Sequence, residues 1–230
     1  MNLIDELKDF LFPKTCVISG ELIKEDNSNS YINDESLNML ERLSQKDLQE
    51  LSEKTDSDYA ISLFSFRESD DFSKIIYELK YAGKKNLGTF LGRLLGYELL
   101  IHLHNKGISG KEILVPIPLY KSKKRDRGYN QSDYLCKGIS EILEVNFKPD
   151  LLLRVKNTNT QTKLNRLQRA ENVKDAFKLN VKYAKDIKNK NIILIDDVIT
   201  TGSTVNEAIK LLRLKGAGEI TVCSAAMARD

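Results

Sequence analysis

Tryptophan is absent from this chain of 230 residues, and cysteine, histidine and long apolar stretches are scarce. The three cysteines, Cys16, Cys136 and Cys223, lie far apart with no histidine or second cysteine nearby in sequence, which argues against a disulfide framework and a four-cysteine zinc site. No apolar run reaches the ~18 residues that a membrane-spanning helix needs, so we expect no contact with a membrane. Because the N-terminus also lacks the basic and apolar regions of a secretory signal, we expect a cytoplasmic protein.

Net charge is small, at +3, but it conceals a strong asymmetry along the chain. Residues 1–71 hold 7 basic against 17 acidic side chains, whereas residues 72–230 hold 29 basic against 16 acidic ones. A basic body favours a polyanionic ligand, either phosphates or nucleic acid. Attraction between the acidic and the basic part of the chain is the alternative explanation.

From residue 59 onwards, short apolar runs alternate with amphipathic stretches, which predicts an α/β fold with a mainly parallel sheet flanked by helices. We predict a boundary after residue 58, with a small helical appendage over 1–58 and the main domain over 59–230. In the appendage, Leu37, Leu40, Leu48 and Leu51 fall on one face of a helix that begins at Asp34. The remaining predictions are strands over 59–66, 112–116, 151–155, 176–179, 192–195 and 219–224, and helices over 70–81, 87–104, 130–144 and 203–215.

The most informative segment is the apolar strand predicted over 192–195, which is followed by Asp196 and Asp197. Open α/β sheets bind ligands at the carboxyl ends of their strands. Gly202 permits a tight turn and a close approach of backbone to ligand, and the helix that follows offers free N–H groups suited to a phosphate. The carboxylates suit sugar hydroxyls or a divalent cation. Four hydroxyl side chains surround the glycine: Thr200, Thr201, Ser203 and Thr204.

Together these features describe a site for a phosphorylated sugar. The segment is not a Walker loop, because no lysine follows the glycine, and its glycine spacing is not that of a dinucleotide fold. A solvated strand end followed by an ordinary helix cap is the competing interpretation.

The segment over 191–204 resembles the phosphoribosyl-pyrophosphate (PRPP) signature of the type I phosphoribosyltransferases. From residue 59 to the C-terminus the chain resembles the ComF branch of that superfamily, which is associated with DNA uptake in naturally transformable bacteria. The branch resemblance rests on a Leu-Lys-Tyr-Ala-Gly block over 79–83, a Val-Pro-Ile-Pro block over 115–118, an Arg-Gly-Tyr-Asn-Gln block over 127–131, a Leu-Arg-Val block over 153–155, and the pattern Gln161, Leu164, Arg169 and Asn172-Val173.

The resemblance implies that the chain binds PRPP or another phosphorylated ribose with Mg²⁺, through Asp196 and Asp197. It makes residues 200–204 the phosphate-binding loop and places a pyrophosphate loop after the strand over 112–116. In the long polar segment over 156–172 it places a mobile loop that closes over the site. The implied catalytic residues are Asp196, Asp197, Arg127 and Arg169; the pyrophosphate loop contributes Lys124, Arg125 and Gly128; the mobile loop contributes Gln161, Lys163 and Arg166.

One departure from the family concerns zinc. ComF proteins usually begin with a four-cysteine zinc finger after a Phe-Pro-x-x-Cys start, and residues 12–16 keep that start. The next expected cysteine is Ser19, and none follows before Cys136. Since a lone thiolate cannot hold zinc tetrahedrally, we expect no zinc.

Two functions remain open at this point. The first is a PRPP-binding phosphoribosyltransferase-like protein, which the resemblance makes a glycosyltransferase. The second is an accessory protein of DNA uptake and natural transformation that binds single-stranded DNA or a helicase partner. The basic body supports the second function, whereas the absence of tryptophan leaves few stacking platforms for bases. A PRPP-sensing regulator is a weaker third reading, because no helix-turn-helix is evident.

Overall fold

In the computed structural model of the chain, residues 11, 13–24, 27–105, 112–157, 171 and 173–229 are described. Helices α1 (Asp34–Asn38) and α2 (Gln45–Lys54) belong to the N-terminal part. They are followed by α3 (Ser73–Tyr81), α4 (Lys85–Asn105), α5 (Lys121–Arg127), α6 (Gln131–Leu143) and α7 (Ser203–Leu214). None of the helices in these ranges is long and apolar enough to cross a membrane.

Four parallel strands form the central sheet: β1 (Tyr59–Phe66), β2 (Ile113–Pro116), β5 (Ile192–Ile199) and β6 (Ile220–Ala228). Their order is β1-β6-β5-β2, so the acidic strand β5 is central, with Ile195 opposite Cys223 of β6 and Pro116 of β2. Two short strands, β3 (Leu152–Arg154) and β4 (Phe177–Leu179), form a separate antiparallel pair. The predicted α/β architecture is therefore confirmed.

Alternating side chains of each central strand enter two different cores, which is why β5 is apolar at consecutive positions. Ile193 and Ile195 pack with α3, α4 and α6 on one face of the sheet. Ile192 and Leu194 pack with α7 on the other face. Both faces are covered, so the ligand-accessible part of the sheet is the edge where the parallel strands end.

Close packing of α4 on α6 depends on glycine at the crossing point. A Cβ atom on Gly92 would lie 2.2 Å from the carbonyl oxygen of Leu135, and one on Gly138 would lie 2.1 Å from that of Thr89. Only hydrogen atoms fit between the two backbones there. The helix pair in turn supports the face of the sheet that includes Ile193 and Ile195.

The N-terminal part differs from the prediction in one respect. The single helix expected from Asp34 is two helices, because Met39 ends α1 and Ser44 begins α2 with a reciprocal capping box to Asp47. A side chain that caps the next helix satisfies backbone N–H groups that a continuous helix would satisfy itself. Cys16 and Ile32 share a buried cluster with the main domain, and the boundary after residue 58 stays a prediction.

Candidate active site

Asp196 and Asp197 lie in the last part of β5, which is longer than the strand predicted over 192–195. The strand continues because Val198 and Ile199 still pair with Ala226 and Met227 of β6. The backbone N–H of Asp197 donates to Asp196 Oδ1 at 2.9 Å, and that of Val198 donates to Asp197 Oδ1 at 2.8 Å. These bonds fix both carboxylates at the ligand edge of the sheet.

The two carboxylates differ in their electrostatic surroundings. Burial and the neighbouring charge of Asp197 raise the pKa of Asp196 to about 8, although the N–H of Asp197, Lys80 and Arg154 act in the opposite direction. Asp197 has a cationic partner, since Lys80 Nζ lies 3.5 Å from its Oδ2. At neutral pH the pair therefore holds a proton, which a bound cation can replace.

This raised pKa predicts that the protein loses stability as the pH rises. An unfolded aspartate titrates near ~4, so between about pH 4 and 8 the folded state binds one proton more than the unfolded state. The free energy of unfolding should then fall with pH, by at most ~1.4 kcal/mol per pH unit from this group. Urea titrations at pH 5 to 8.5 should show this fall in the ligand-free protein and a flatter profile in Asp196→Asn. The same pH dependence of the free energy of unfolding in both proteins would contradict the raised pKa of Asp196.

Immediately after β5, the hydroxyl-bearing segment forms a pocket of about 40 Å³ bounded by residues 196 and 198–205. Gly202 precedes α7 with a φ of 76°, and the N–H groups of the first helical turn have no partner within the helix. Thr201 Oγ1 lies 3.0 Å from Ser203 Oγ. Helix dipole, free N–H groups and hydroxyls point to a small oxyanion such as a phosphate.

Gly202 has a role that the sequence did not reveal. A Cβ atom on it would lie 3.0 Å from the carbonyl oxygen of Lys54 and 3.4 Å from Thr55 Cγ2. Asn206 Nδ2 donates to the same carbonyl oxygen at 3.1 Å. The glycine therefore admits the end of α2, so that the N-terminal part braces the phosphate loop. A side chain at this position would press against the end of α2 as well as approach a ligand.

Four basic side chains form a cluster at this edge of the sheet: Lys80, Lys123, Arg127 and Arg154. Two of them, Lys80 and Arg154, act on the charge of Asp196. Burial lowers the pKa of Lys123, and the positive charges of Arg154, Arg127 and Lys80 lower it further. Burial also lowers the pKa of Arg154, while Asp196 opposes that change. Such mutual repulsion is relieved when a polyanion binds among the cations.

Sequence reasoning had not placed Lys80 or Arg154 in the site. Each lies in a block that carried the family resemblance, one at the end of α3 and the other in β3. Their distance in sequence from Asp196 hid the relation, which only the packing of α3 and β3 around β5 reveals. The resemblance of these two blocks to the family was the sequence signal that could have pointed to Lys80 and Arg154.

The segment predicted as a pyrophosphate loop is largely the short helix α5, which ends at Gly128 with a φ of 77°. Arg127 lies at its end, where its Nη1 donates to Gln131 Oε1 at 3.0 Å and its guanidinium lies 5.4 Å from the Tyr81 ring. The Tyr129 hydroxyl donates to the carbonyl oxygen of Leu79. The Arg-Gly-Tyr-Asn-Gln block thus fastens α5 to α3 and positions Arg127.

The other residues predicted for the pyrophosphate loop and the mobile loop fall into three groups. Lys124 is half-exposed and lies 3.9 Å from Asp133 Oδ2, while the Arg125 side chain is 82% exposed and pairs only loosely with its neighbour Asp126 at 4.0 Å. The structure therefore brings Arg127, but not Arg125, towards the acidic pair. The mobile-loop residues lie outside the described ranges: Gln161, Lys163, Arg166 and Arg169.

The acidic pair fits the Mg²⁺ that the family resemblance implies. Among the described residues, no group donates a hydrogen bond to the buried Oδ2 of Asp197, although Lys80 lies nearby. Carboxylate oxygens are preferred ligands of Mg²⁺, which usually binds through one or two of them together with substrate phosphates. Within the described ranges no cluster of three or more acidic, histidine or cysteine side chains forms an all-protein metal cage.

Comparison with known proteins agrees with these features. Residues 133–229 match the sequence family described as the phosphoribosyl transferase domain. Competence protein F of Haemophilus influenzae is 36% identical over 159 residues, which are 69% of each chain. DNA utilization protein YhgH of Escherichia coli is 33% identical over 150 residues, or 65% of this chain and 64% of that protein.

Among solved structures, a hypoxanthine phosphoribosyltransferase from Staphylococcus aureus is 16% identical, with 61% of this chain and 62% of that chain covered. Its TM-score of 0.35 is too low to inform fold or function. The match to competence protein F is the stronger finding, because it reaches 36% identity over 69% of the chain. The chain belongs to the ComF family of type I phosphoribosyltransferase-like proteins.

Proposed function

We propose that the chain is a cytoplasmic phosphoribosyltransferase-like protein that binds PRPP together with Mg²⁺. One observation carries the proposal. The carboxyl edge of the sheet brings together an acidic pair, a hydroxyl-lined phosphate pocket and a basic cluster. These three parts match the diol, the 5′-phosphate and the pyrophosphate of PRPP.

Each part of the site has a separate task in this proposal. Residues 200–204 bind the 5′-phosphate through N–H groups and hydroxyls. Asp196 and Asp197 accept hydrogen bonds from the ribose hydroxyls and hold the cation. Mg²⁺ held by these carboxylates would neutralise charge on the pyrophosphate, and Arg127 and Lys123 donate to the same group.

Transfer at the anomeric carbon breaks its bond to the pyrophosphate oxygen, so negative charge grows on the leaving group. Cations already in place stabilise that charge without reorganisation. Lys123 suits this task because burial and the positive charges of Arg154, Arg127 and Lys80 lower its pKa, and a pyrophosphate bound among these cations would offset their repulsion. By resemblance, Arg169 and the mobile-loop residues complete the enclosure and exclude water.

Thermal denaturation with and without PRPP and Mg²⁺ tests the proposal. Binding to the folded state alone at 100 times Kd stabilises by about 2.7 kcal/mol, which corresponds to a rise in Tm of roughly 5–10 °C for a chain of this size. Calorimetry should give one site per chain and a requirement for Mg²⁺. No shift at millimolar PRPP would refute the pocket assignment.

A role in DNA handling is the second candidate, because one surface beside the site suits stacked bases. Tyr77 and Tyr81 are 61% and 63% exposed, and their ring centroids lie 5.2 Å apart. Arg127 lies over the Tyr81 ring. Exposed aromatic rings beside cations bind single-stranded nucleic acid with little sequence preference. The names of the relatives, DNA utilization protein and competence protein, agree with this candidate.

Single-stranded DNA binding should then depend on the tyrosine pair. Stacking contributes about 1–3 kcal/mol per base, so Tyr77→Ala with Tyr81→Ala should weaken oligothymidine binding by at least about fivefold. Tyr97→Ala is the matched control, because Tyr97 is 55% exposed on α4. Fluorescence anisotropy across a salt titration measures the effect. Equal affinities of the double variant and the control would exclude this surface as the DNA site, and a DNA-uptake partner protein would then be the remaining form of the second candidate.

A further inference from the structure

The N-terminal part contains two short pairs of side chains with the spacing of a zinc knuckle. Cys16 and Ser19 are separated by two residues, as are Asn33 and Ser36, and thirteen residues lie between the pairs. Structural zinc sites use the same arrangement, with two cysteines in each pair. Three of the four positions here carry a hydroxyl or an amide instead of a thiol.

These four residues converge in space around one sulfur atom. The backbone N–H groups of Ser19 and Asn33 donate to Cys16 Sγ at 3.5 and 3.4 Å, and the Cys16 thiol donates to Ser36 Oγ at 3.6 Å. Asn33 Nδ2 donates to Ser19 Oγ at 3.3 Å, and the N–H of Ser36 donates to Asn33 Oδ1 at 2.8 Å. Every corner of the cluster is thus bonded to another corner.

The local backbone holds each pair in place. Cys16 and Ser19 lie in a hairpin turn closed by a bridge between Thr15 and Leu22, with Gly20 at a φ of 77°. Asn33 caps the N-terminus of α1, which contains Ser36. Cys16 itself is 2% exposed. The cluster is therefore a buried joint between the hairpin and α1 rather than a reactive surface thiol.

We propose that residues 16, 19, 33 and 36 form a metal-free knuckle, in which hydrogen bonds to one thiol replace the bonds that a Zn²⁺ ion would make. The electrostatics agree with this arrangement. Although burial raises the pKa of Cys16, its hydrogen bonds with Ser19, Asn33 and Ser36 outweigh burial and lower it to about 7. Donors that stabilise a thiolate perform part of the task of a bound cation.

The hairpin of the knuckle also contacts α3. Lys74 of α3 donates to the carbonyl oxygen of Ile18 at 3.2 Å, so the hairpin is joined to the helix that carries Lys80. Between the hairpin and the α3–α4 turn lies a cleft of about 490 Å³, whose lining includes Lys14, Lys84 and Lys85. Because the knuckle holds no metal, the hairpin side of this cleft keeps its structure without zinc.

Restoring the missing thiols tests the proposal directly. The variant Ser19→Cys/Asn33→Cys/Ser36→Cys should bind zinc stoichiometrically, give the absorption of tetrahedral thiolate-bound Co²⁺, and gain a Tm that falls when a chelator is added. The control Ser19→Cys/Ser36→Cys/Ser52→Cys has the same number of thiols, but one lies on α2, so it should not give the four-thiolate spectrum. The natural chain should contain no zinc, and its Tm should not respond to chelator.

Stoichiometric zinc in the natural chain would overturn the proposal, as would a folded triple variant that binds neither metal. If the triple variant does not fold, two substitutions of Cys16 test the proposal instead. Cys16→Ser keeps a hydrogen-bond donor and acceptor for the cluster, whereas Cys16→Ala leaves the N–H groups of Ser19 and Asn33 without their acceptor. A clearly lower Tm for alanine than for serine supports the hydrogen-bonded knuckle, and equal values refute it.

Discussion

Exchange of both Asp196 and Asp197 for asparagine should abolish the stabilisation of the protein by PRPP with Mg²⁺. Asparagine keeps an Oδ1 atom, so the hydrogen bonds from the N–H groups of Asp197 and Val198 survive and β5 should keep its shape. The negative charge of the pair disappears, however, and an amide is a far weaker ligand for Mg²⁺ than a carboxylate. We expect an affinity loss of at least about 100-fold, or roughly 2.7 kcal/mol.

Calorimetry on the ligand-free and PRPP-bound double variant measures this loss. Asp126→Asn is the matched control, because the Asp126 side chain is 70% exposed on α5 and should leave PRPP binding unchanged. The ligand-free double variant should be at least as stable as the natural chain at pH 7, because the raised pKa of Asp196 destabilises the natural chain there and the variant lacks that group. Undiminished PRPP binding in the double variant would show that the acidic pair is not the diol and metal site.

The pattern of apolar residues predicted the sheet well because strands buried on both faces are short, continuous and bounded by turns. The pattern underestimated the lengths of β5 and β6, because both strands continue beyond the predicted carboxyl ends. In β5 the polar pair Asp196 and Asp197 interrupts the apolar run, yet the ladder with β6 continues to Ile199. Backbone hydrogen bonds do not depend on side-chain polarity, so a strand can carry functional carboxylates that a hydrophobicity pattern assigns to a loop.

The candidate site was only partly visible in the sequence, for a similar reason. Asp196, Asp197 and residues 200–204 lie in one short segment of the chain, so their chemistry could be inferred from their spacing. Lys80, Arg127 and Arg154 come from three separate elements, and their relation depends on α3, α5 and β3 meeting around β5. The basic run of α5 could not be resolved by composition, because a helix turns adjacent lysines and arginines in different directions.

The arrangement also links the two ends of the chain. The α2 helix braces Gly202 and Asn206, and Asp58 accepts a hydrogen bond from the N–H of Ile220 at 2.8 Å. Asp47 accepts from Arg229 Nη2 at 3.2 Å. Part of the acidic excess of the N-terminal segment is therefore neutralised by the basic body. The remaining basic cluster lies next to Asp196, where a polyanion is proposed to bind.

Removal of Arg127 should separate PRPP from ribose 5-phosphate. Both ligands present the same 5′-phosphate to residues 200–204, but only PRPP carries the pyrophosphate that the basic cluster would bind. A charge-assisted hydrogen bond contributes about 1.5–3 kcal/mol, so Arg127→Ala should weaken PRPP binding by roughly ten- to a hundredfold. Ribose 5-phosphate should bind as it does to the natural chain, and competition titrations with both ligands measure the difference.

Arg125→Ala is the matched control for this experiment, because it removes the same side chain from the same helix where that side chain is 82% exposed. It should leave both affinities unchanged. Equal weakening of PRPP and ribose 5-phosphate by Arg127→Ala would mean that loss of the bond to Gln131 had disturbed the site as a whole. If PRPP binding stays intact while single-stranded DNA binding falls, Arg127 serves the Tyr81 surface, and the DNA-handling candidate replaces the pyrophosphate assignment of this residue.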